Sequence, residues 1–380
     1  MNLLLSDEQT QLQKMVRDLA VEKIAPLSKQ FYQNGAFPAE IFSLLSKQGL
    51  MGLMLPPVFE GAGADTYSFL ITMESIGRAC PSTAFLFNTH LGASLAILAL
   101  GSAAQKEKYL KPLARGEWIC ALAGTESGGG SNPFTIRTTA VKSGDSYILN
   151  GTKTFISGAG STDVYLVMAK TVNESGQPGL SMFLVEKGTP GFTFGKLEDK
   201  LGMLALPTGE LIFENCRLSG DALLGSIGSG LQVMGVAGGL AALGAGAIAL
   251  GLAQAAVDET KTYLKDRQIL GQKLGEMGAV QMRFADMLIE LQAARSLLYQ
   301  AARDRDTSKP GPIPTVFQAK INTTEKALKI IDSAIQLHGM YGYSKEYPFE
   351  QYYRDARALT IHFGNNDVMR SNLSKMVLGV

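Results

Sequence analysis

Ala123-Gly124-Thr125-Glu126-Ser127-Gly128-Gly129-Gly130-Ser131-Asn132 is the most specific run in the central, β-rich part of the chain, and it stands at the end of that part's opening strand. Clustered glycines let a backbone approach a flat or phosphorylated ligand closely, and Thr125 and Ser131 add hydroxyls. A mobile glycine-rich turn has the same composition, so the surroundings have to decide. The run is not a dinucleotide fingerprint. The order strand, glycines, helix, with an acid about twenty residues further on, is absent.

Outward from this run the character of the chain changes in both directions. Residues 118 to about 219 hold short β-rich stretches such as Val164-Tyr165-Leu166-Val167-Met168 and Ser181-Met182-Phe183-Leu184-Val185. Turns at Lys142-Ser143-Gly144-Asp145, Glu174-Ser175-Gly176-Gln177-Pro178-Gly179 and Thr189-Pro190-Gly191 separate them, which predicts a small antiparallel β domain. From Ser6 to about Glu117 the pattern is helical. Leu12, Met15, Val16 and Leu19 recur at helical spacing behind a capping-box pair, Ser6 and Gln9, and Pro56-Pro57 and Gly61-Ala62-Gly63 interrupt the helices. After Gly230 long helical patterns return, including 282–302 and 316–338. The order helices, strands, helices predicts an α+β protein divided at 1–117, 118–222 and 223–380.

Composition removes several classes of function. With 380 residues, 46% of them hydrophobic, the chain can bury a large core. Its 35 basic and 34 acidic residues leave a net charge of +1, so there is no basic field to hold nucleic acid. Three dispersed cysteines fit reduced thiols rather than a disulfide framework, and three dispersed histidines give no metal spacing. Met1-Asn2-Leu3-Leu4-Leu5-Ser6-Asp7-Glu8 lacks the basic and long apolar regions of a signal peptide, so a cytoplasmic protein is expected. No charged residue lies between Asp221 and Asp258, yet Gly235, Gly238, Gly239, Gly244, Gly246 and Gly251 dilute the segment and no basic flank anchors it. A helix buried by protein, without membrane contact, is the expectation.

The glycine-rich run resembles the Thr-Glu-Pro-Gly-Ala-Gly-Ser-Asp signature of the acyl-CoA dehydrogenases, with Ser127 for proline and Asn132 for aspartate. Leu149-Asn150-Gly151-Thr152-Lys153-Thr154-Phe155-Ile156-Ser157 follows at the distance that family leads one to expect. Asn150-Gly151 reads as a hairpin turn, which would put Phe155 and Ser157 on one face of the next strand. Asp266-Arg267-Gln268-Ile269-Leu270-Gly271 is similar to the family's Arg-x-x-Phe-Gly turn. Gln336-Leu337-His338-Gly339-Met340-Tyr341-Gly342-Tyr343, Tyr347-Pro348-Phe349-Glu350 and Tyr353-Arg354-Asp355-Ala356 follow its Gln-x-x-Gly-Gly-x-Gly-Tyr and Glu-Tyr-Pro segment. The resemblance spans the chain and implies a helical N-terminal domain, a middle β domain and a C-terminal four-helix bundle around FAD. It further implies that Thr125, Ser131, Phe155 and Ser157 meet the flavin side of the cofactor. Arg267 and Leu270 would meet its pyrophosphate region, Gln336 and Gly339 would reach the FAD of a neighbouring subunit in a homodimer or homotetramer, and Asn365 and Asp367 would also bind the cofactor.

One loop departs from the family. Where relatives read Tyr-Glu-Gly-Thr, this chain reads His362-Phe363-Gly364-Asn365-Asn366-Asp367, so Phe363 occupies the position of the catalytic carboxylate. The alternative acid position, on the helix after the β domain, falls at Ala241 and Ala242. Met340, Leu204 and Met277-Gly278 also replace residues common in the family. A positioned base contributes about 10²–10⁴-fold. His362 is the nearest titratable substitute, and the Phe363 N–H can still polarise a carbonyl; a packing or capping role for His362 is the alternative. The resemblance implies an FAD-dependent oxidoreductase that desaturates an acyl thioester on CoA or a carrier protein. Two readings stay open beside it: changed flavin chemistry such as oxygen activation or another oxidation or rearrangement, and a non-catalytic homologue.

Overall fold

The capping box at Ser6 is formed, with Gln9 N–H donating to Ser6 Oγ at 3.1 Å and Ser6 N–H to Gln9 Oε1 at 3.2 Å, and α1 (Asp7–Leu19) starts there. The computed structural model describes residues 5–173, 176–307 and 314–379. Met1 to Leu4 of the N-terminal reading, and Glu174 and Ser175 of the second turn, lie outside the described residues. Helices α2 (Ala25–Asn34), α3 (Ala39–Lys47), α4 (Thr66–Ala79), α5 (Pro81–Leu100) and α6 (Ala103–Arg115) complete the first helical group. α4 and α5 are its buried pair, and α5 is apolar on nearly every side because protein surrounds it.

The middle strands are β1 (Cys120–Ala123), β2 (Thr139–Ser143), β3 (Ser146–Ser157), β4 (Val164–Val172), β5 (Pro178–Glu186), β6 (Phe192–Leu197), β7 (Thr208–Ser219) and β8 (Leu223–Leu224). They form one sheet in the order β6-β7-β3-β2-β4-β5-β8, with β1 beside β4. Most neighbours are antiparallel, as expected. β1 with β4, and the single Thr139–Lys170 pairing of β2 with β4, are parallel. No tight hairpin joins either pair, so no turn forces them antiparallel.

Asn150-Gly151 does not make the expected hairpin. The two residues sit inside β3 at a bulge against β7, with Gly151 at φ 144°. Asn150 Oδ1 accepts the Asn215 N–H at 2.7 Å, and a Cβ on Gly151 would lie 2.5 Å from Thr138 Oγ1, so neighbouring segments fix this conformation. The true hairpin comes earlier, at Gly144-Asp145 between β2 and β3. A second irregularity, between Lys153 and Ile156, leaves Phe155 at φ 56°. The alternation that would place Phe155 and Ser157 on one face is interrupted there.

The charge-free segment becomes the first half of α7 (Gly230–Asp266), the central helix of the molecule. α5 and α7 are long and apolar enough to cross a membrane, but 78% and 72% of their most apolar stretches are buried inside this protein. Glycine lets α4 and α7 touch: a Cβ on Gly251 would lie 2.3 Å from Glu74 O, and one on Gly77 would lie 2.7 Å from Ile248 Cα. A short hairpin, β9 (Gln268–Ile269) and β10 (Gln272–Lys273), leads to α8 (Gly278–Thr307) and α9 (Pro314–His338). α10 (Met340–Tyr343), α11 (Phe349–Leu359) and α12 (Asn366–Leu378) then pack on α9 and close the C-terminal helical part.

Candidate functional site

Glu126 decides how the glycine-rich run is held. The Thr125 carbonyl accepts the Thr154 N–H at 3.0 Å, which lays the run beside β3. Glu126 turns inward, 6% exposed, and its carboxylate accepts the Arg137 N–H at 2.5 Å, the Thr138 N–H at 3.0 Å and Lys153 Nζ at 2.8 Å. Burial pushes the Glu126 carboxyl up, but the bonds from Lys153 and the backbone override it and hold the pKa below the usual value. With its acid anchored beneath, the outer arc from Ser127 to Asn132 keeps its glycine backbone and Ser131 toward solvent, and Thr125 is half-buried. Neither Glu126 nor Lys153 is singled out by spacing in the sequence.

On β3, Phe155 holds its left-handed φ and is 55% exposed, so its ring is turned out of the sheet. Ser157 is half-buried, next to Gly158, whose N–H donates to Pro207 O at 2.7 Å. The Gly-rich loop, Phe155 and Ser157 therefore share one end of the sheet.

The C-terminal motifs form a second group. Arg267 ends α7 and lies over the Tyr341 ring, 5.5 Å from its centroid, so the two motifs meet. Arg267 makes no ion pair with the described residues, and Leu270, at φ 54° and 91% exposed, forms the tip of the β9–β10 hairpin. Gln336 and Gly339 are exposed at the end of α9. Behind them His338 stacks on Tyr263 at 4.1 Å and meets Phe349 at 4.4 Å, which ties the Tyr347-Pro348-Phe349 segment to α7 and α9. No hydrogen bond or ring contact among the described residues joins this group to Thr125, Ser131, Phe155 or Ser157. The two sets have complementary chemistry. An unpaired guanidinium suits phosphate oxygens, and an outward ring beside a glycine-rich backbone suits one face of a flat heterocycle, so the residues present fit FAD.

The third element is the loop between α11 and α12. His362 is half-buried, and its Nδ1–H donates to Ala358 O at 2.9 Å, because a carbonyl only accepts. Its ring meets the edge of Phe85 at 5.0 Å. Burial lowers the His362 pKa below 6.5, the bond to Ala358 opposes this, and the charges of Lys320 and Lys200 lower it further. Phe363, at the position of the family's carboxylate, packs its ring on Phe85 at 4.5 Å and has φ 54°. Its N–H has no hydrogen-bond acceptor among the described residues. At the alternative acid position Ala241 and Ala242 are buried, and Asn88 Nδ2 donates to Ala241 O at 2.9 Å. Asn365 Oδ1 accepts the Asp367 N–H at 2.8 Å and caps α12, while Asp367 is exposed and lies 3.4 Å from Arg370.

Two charged residues are buried on the helices beside this loop; Lys320 lies outside the family motifs, and Asp355 falls within Tyr353-Arg354-Asp355-Ala356. Lys320, on α9 and fully buried, donates to Gly364 O at 2.5 Å, Asn366 Oδ1 at 2.7 Å and Thr360 O at 3.4 Å. Asp355, on α11 and also fully buried, accepts the Met203 N–H, and burial pushes its pKa up to about 7. Among the described residues no cluster of His, Cys, Asp or Glu could hold a metal ion.

A helical group, a β sheet and a second helical group, in that chain order, is the arrangement that the resemblance to acyl-CoA dehydrogenases implies. The comparisons agree. The N-terminal, middle and C-terminal domains of acyl-CoA dehydrogenases match residues 6–117, 121–216 and 228–378. Acryloyl-CoA reductase (NADH) of Anaerotignum propionicum is 37% identical over 380 residues, covering 100% of this chain and 96% of the relative. Butyryl-CoA dehydrogenase of Megasphaera elsdenii has a solved structure with a TM-score of 0.95 and 32% identity, covering 100% of both chains. A glutaryl-CoA dehydrogenase of Mycobacterium smegmatis, solved in complex with FADH2, gives a TM-score of 0.93 at 26% identity over 99% of this chain and 96% of that one. The chain belongs to the acyl-CoA dehydrogenase family and is a flavoprotein oxidoreductase of that fold. Members of the family depend on FAD, act on acyl-CoA substrates and are oligomeric.

Proposed function

We propose that this protein, as a cytoplasmic homodimer or homotetramer, binds FAD and oxidises an acyl thioester, on CoA or on a carrier protein, across its α,β bond. His362 takes the α proton in place of a carboxylate. One observation carries the choice of base: Nδ1–H is committed to Ala358 O, which leaves the lone pair on Nε2, and the lowered pKa keeps the imidazole neutral near pH 7. A neutral imidazole is the form able to accept the α proton, as dehydrogenation requires. The Phe363 N–H polarises the thioester carbonyl and makes the α proton more acidic. FAD, when bound, supplies the acceptor for the β hydride. The proton ends on Nε2 and the product is the α,β-unsaturated thioester.

Phe155 would cover the flavin ring, with Ser157, Thr125 and Ser131 as polar neighbours of its edge. Arg267 and Leu270 would meet the pyrophosphate region. Gln336 and Gly339 would serve the cofactor of an adjacent copy, and Asn365 and Asp367 would also contact the cofactor. Asn365 has its Oδ1 engaged as a cap and keeps its amide N–H groups for such a contact.

The likeness to an acryloyl-CoA reductase favours a second reading, in which the same bond is reduced and His362 must be charged to give up a proton. His362→Gln tests the base. Exchange of the α proton of butyryl-, octanoyl- or palmitoyl-CoA with deuterated water is expected to slow by about 10²–10⁴-fold. An unchanged exchange rate removes His362 from the chemistry. Formation of saturated product from enoyl-CoA, with no desaturation of the acyl-CoA, would select the second reading.

A further inference from the structure

The Thr360–Asn366 loop carries both groups assigned to the reaction, and its own backbone bonds lie at its ends, with the Asn366 N–H on Thr360 O at 3.1 Å and the Ile361 and His362 N–H groups on Ala358 O. Phe363 and Gly364 follow one another at φ 54° and 99°, and a left-handed phenylalanine persists only where its surroundings impose it. Further restraint, at the middle of the loop, comes from α9. Lys320 has three N–H donors when charged, and three acceptors surround it: Thr360 O where α11 ends, Gly364 O just after Phe363, and Asn366 Oδ1 where α12 begins. Asn366 is fixed in turn, donating to Thr324 Oγ1 at 3.1 Å and Glu325 Oε1 at 3.0 Å, and Glu325 is paired with Arg370 at 2.6 Å.

A buried cation needs a reason to be there. Among the described residues no carboxylate lies within ion-pair distance of Lys320; its direct partners are two backbone carbonyls and an amide, all belonging to one loop. An apolar side chain at this position would pack α9 at lower desolvation cost, so the lysine serves the loop rather than the core. We propose that Lys320 is a positioning residue that pins the Thr360–Asn366 loop from below, fixing where the Phe363 N–H and His362 stand relative to the thioester. The assignment of the two loop groups rests on the acyl-thioester reading above; the pinning itself does not.

The test uses the full-length, FAD-loaded protein, with Lys320→Met and Lys320→Arg beside the wild type. In Lys320→Met, amide hydrogen exchange is expected to rise by about tenfold or more in peptides covering 360–366 and to stay unchanged in the β sheet. The kcat for acyl-CoA oxidation is expected to fall by on the order of 10²-fold with KM nearly unchanged, as for a misplaced catalytic group. Lys320→Arg, which keeps the charge and the donors, is expected to recover part of both. If Lys320→Met does not fold, Asn366→Ala removes one acceptor and leaves the lysine in place, and it should give the same loop-confined rise. Unchanged loop exchange, or a rise spread evenly over the helices, overturns the proposal. A wild type that oxidises no acyl-CoA, combined with a loop-confined rise in the variant, would sink the assigned reaction and leave the pin standing.

Discussion

The two loops that carry the candidate chemistry are each held from beneath by a buried charge, and they are held in opposite ways. Beneath the glycine-rich run, the Glu126 anion collects two backbone N–H groups and is neutralised by Lys153. Beneath the Thr360–Asn366 loop, the Lys320 cation collects carbonyl oxygens, with no carboxylate in contact among the described residues. A paired charge is insensitive to pH near neutrality, and the Glu126 pKa lies below the ordinary carboxylate range. An unpaired one is not, and burial lowers Lys320 to about 7 against the pull of Glu325. Asp355, on the helix that leads into the second loop, is raised to about 7. The glycine-rich loop is therefore built for constancy, and the loop proposed for proton transfer lies beside groups whose pKa falls near 7.

The largest effect is expected where a paired charge is broken. Lys153→Met leaves Glu126 buried without its cation and should lower the unfolding free energy by about 3–5 kcal/mol in urea titrations. Adding Glu126→Gln should return part of that loss. A single variant as stable as the wild type would show that the pair does not anchor the run.

A smaller effect separates the pH behaviour of the two regions. The folded pKa of Asp355, about 7, is above the ordinary 3.8, so its stabilising contribution is full below about 3.8 and is lost as pH rises through about 7. Lys320 is displaced the other way; its contribution is full above about 10.5 and is lost as pH falls through about 7. Asp355→Asn keeps an acceptor for the Met203 N–H. It should flatten the decline in unfolding free energy between about pH 4 and pH 8 by about 2–4 kcal/mol. The same slope in variant and wild type would remove Asp355 from the account.

Much of this was legible in the sequence because it is local. The Ser6–Gln9 box, the helical period of 316–338 and the β-rich runs each follow from neighbours along the chain. Asn150-Gly151 misleads for the opposite reason: Thr138 and Asn215, distant in sequence, turn a hairpin signal into a bulge. The bulge after Lys153, which aims Phe155, carries no signal of its own. Lys320 was readable in principle, since Val316, Lys320, Thr323 and Ala327 form one stripe at helical spacing on the buried face of α9. A lysine on such a stripe ordinarily reads as an interruption of the apolar pattern, and only the loop it meets gives it a purpose. The resemblance located Phe363 at the carboxylate position; the tautomer of His362, fixed by Ala358, is a fact of the fold.

Anaerobic mixing of the FAD-loaded protein with butyryl-, octanoyl- and palmitoyl-CoA, followed by flavin absorbance, tests the central claim most directly. Bleaching of the oxidised flavin, with appearance of the matching enoyl-CoA and an apparent base pKa below the usual 6.5 of histidine, is the predicted result. A flavin that stays oxidised with every thioester, and is reduced only by an external donor before consuming oxygen, would contradict it.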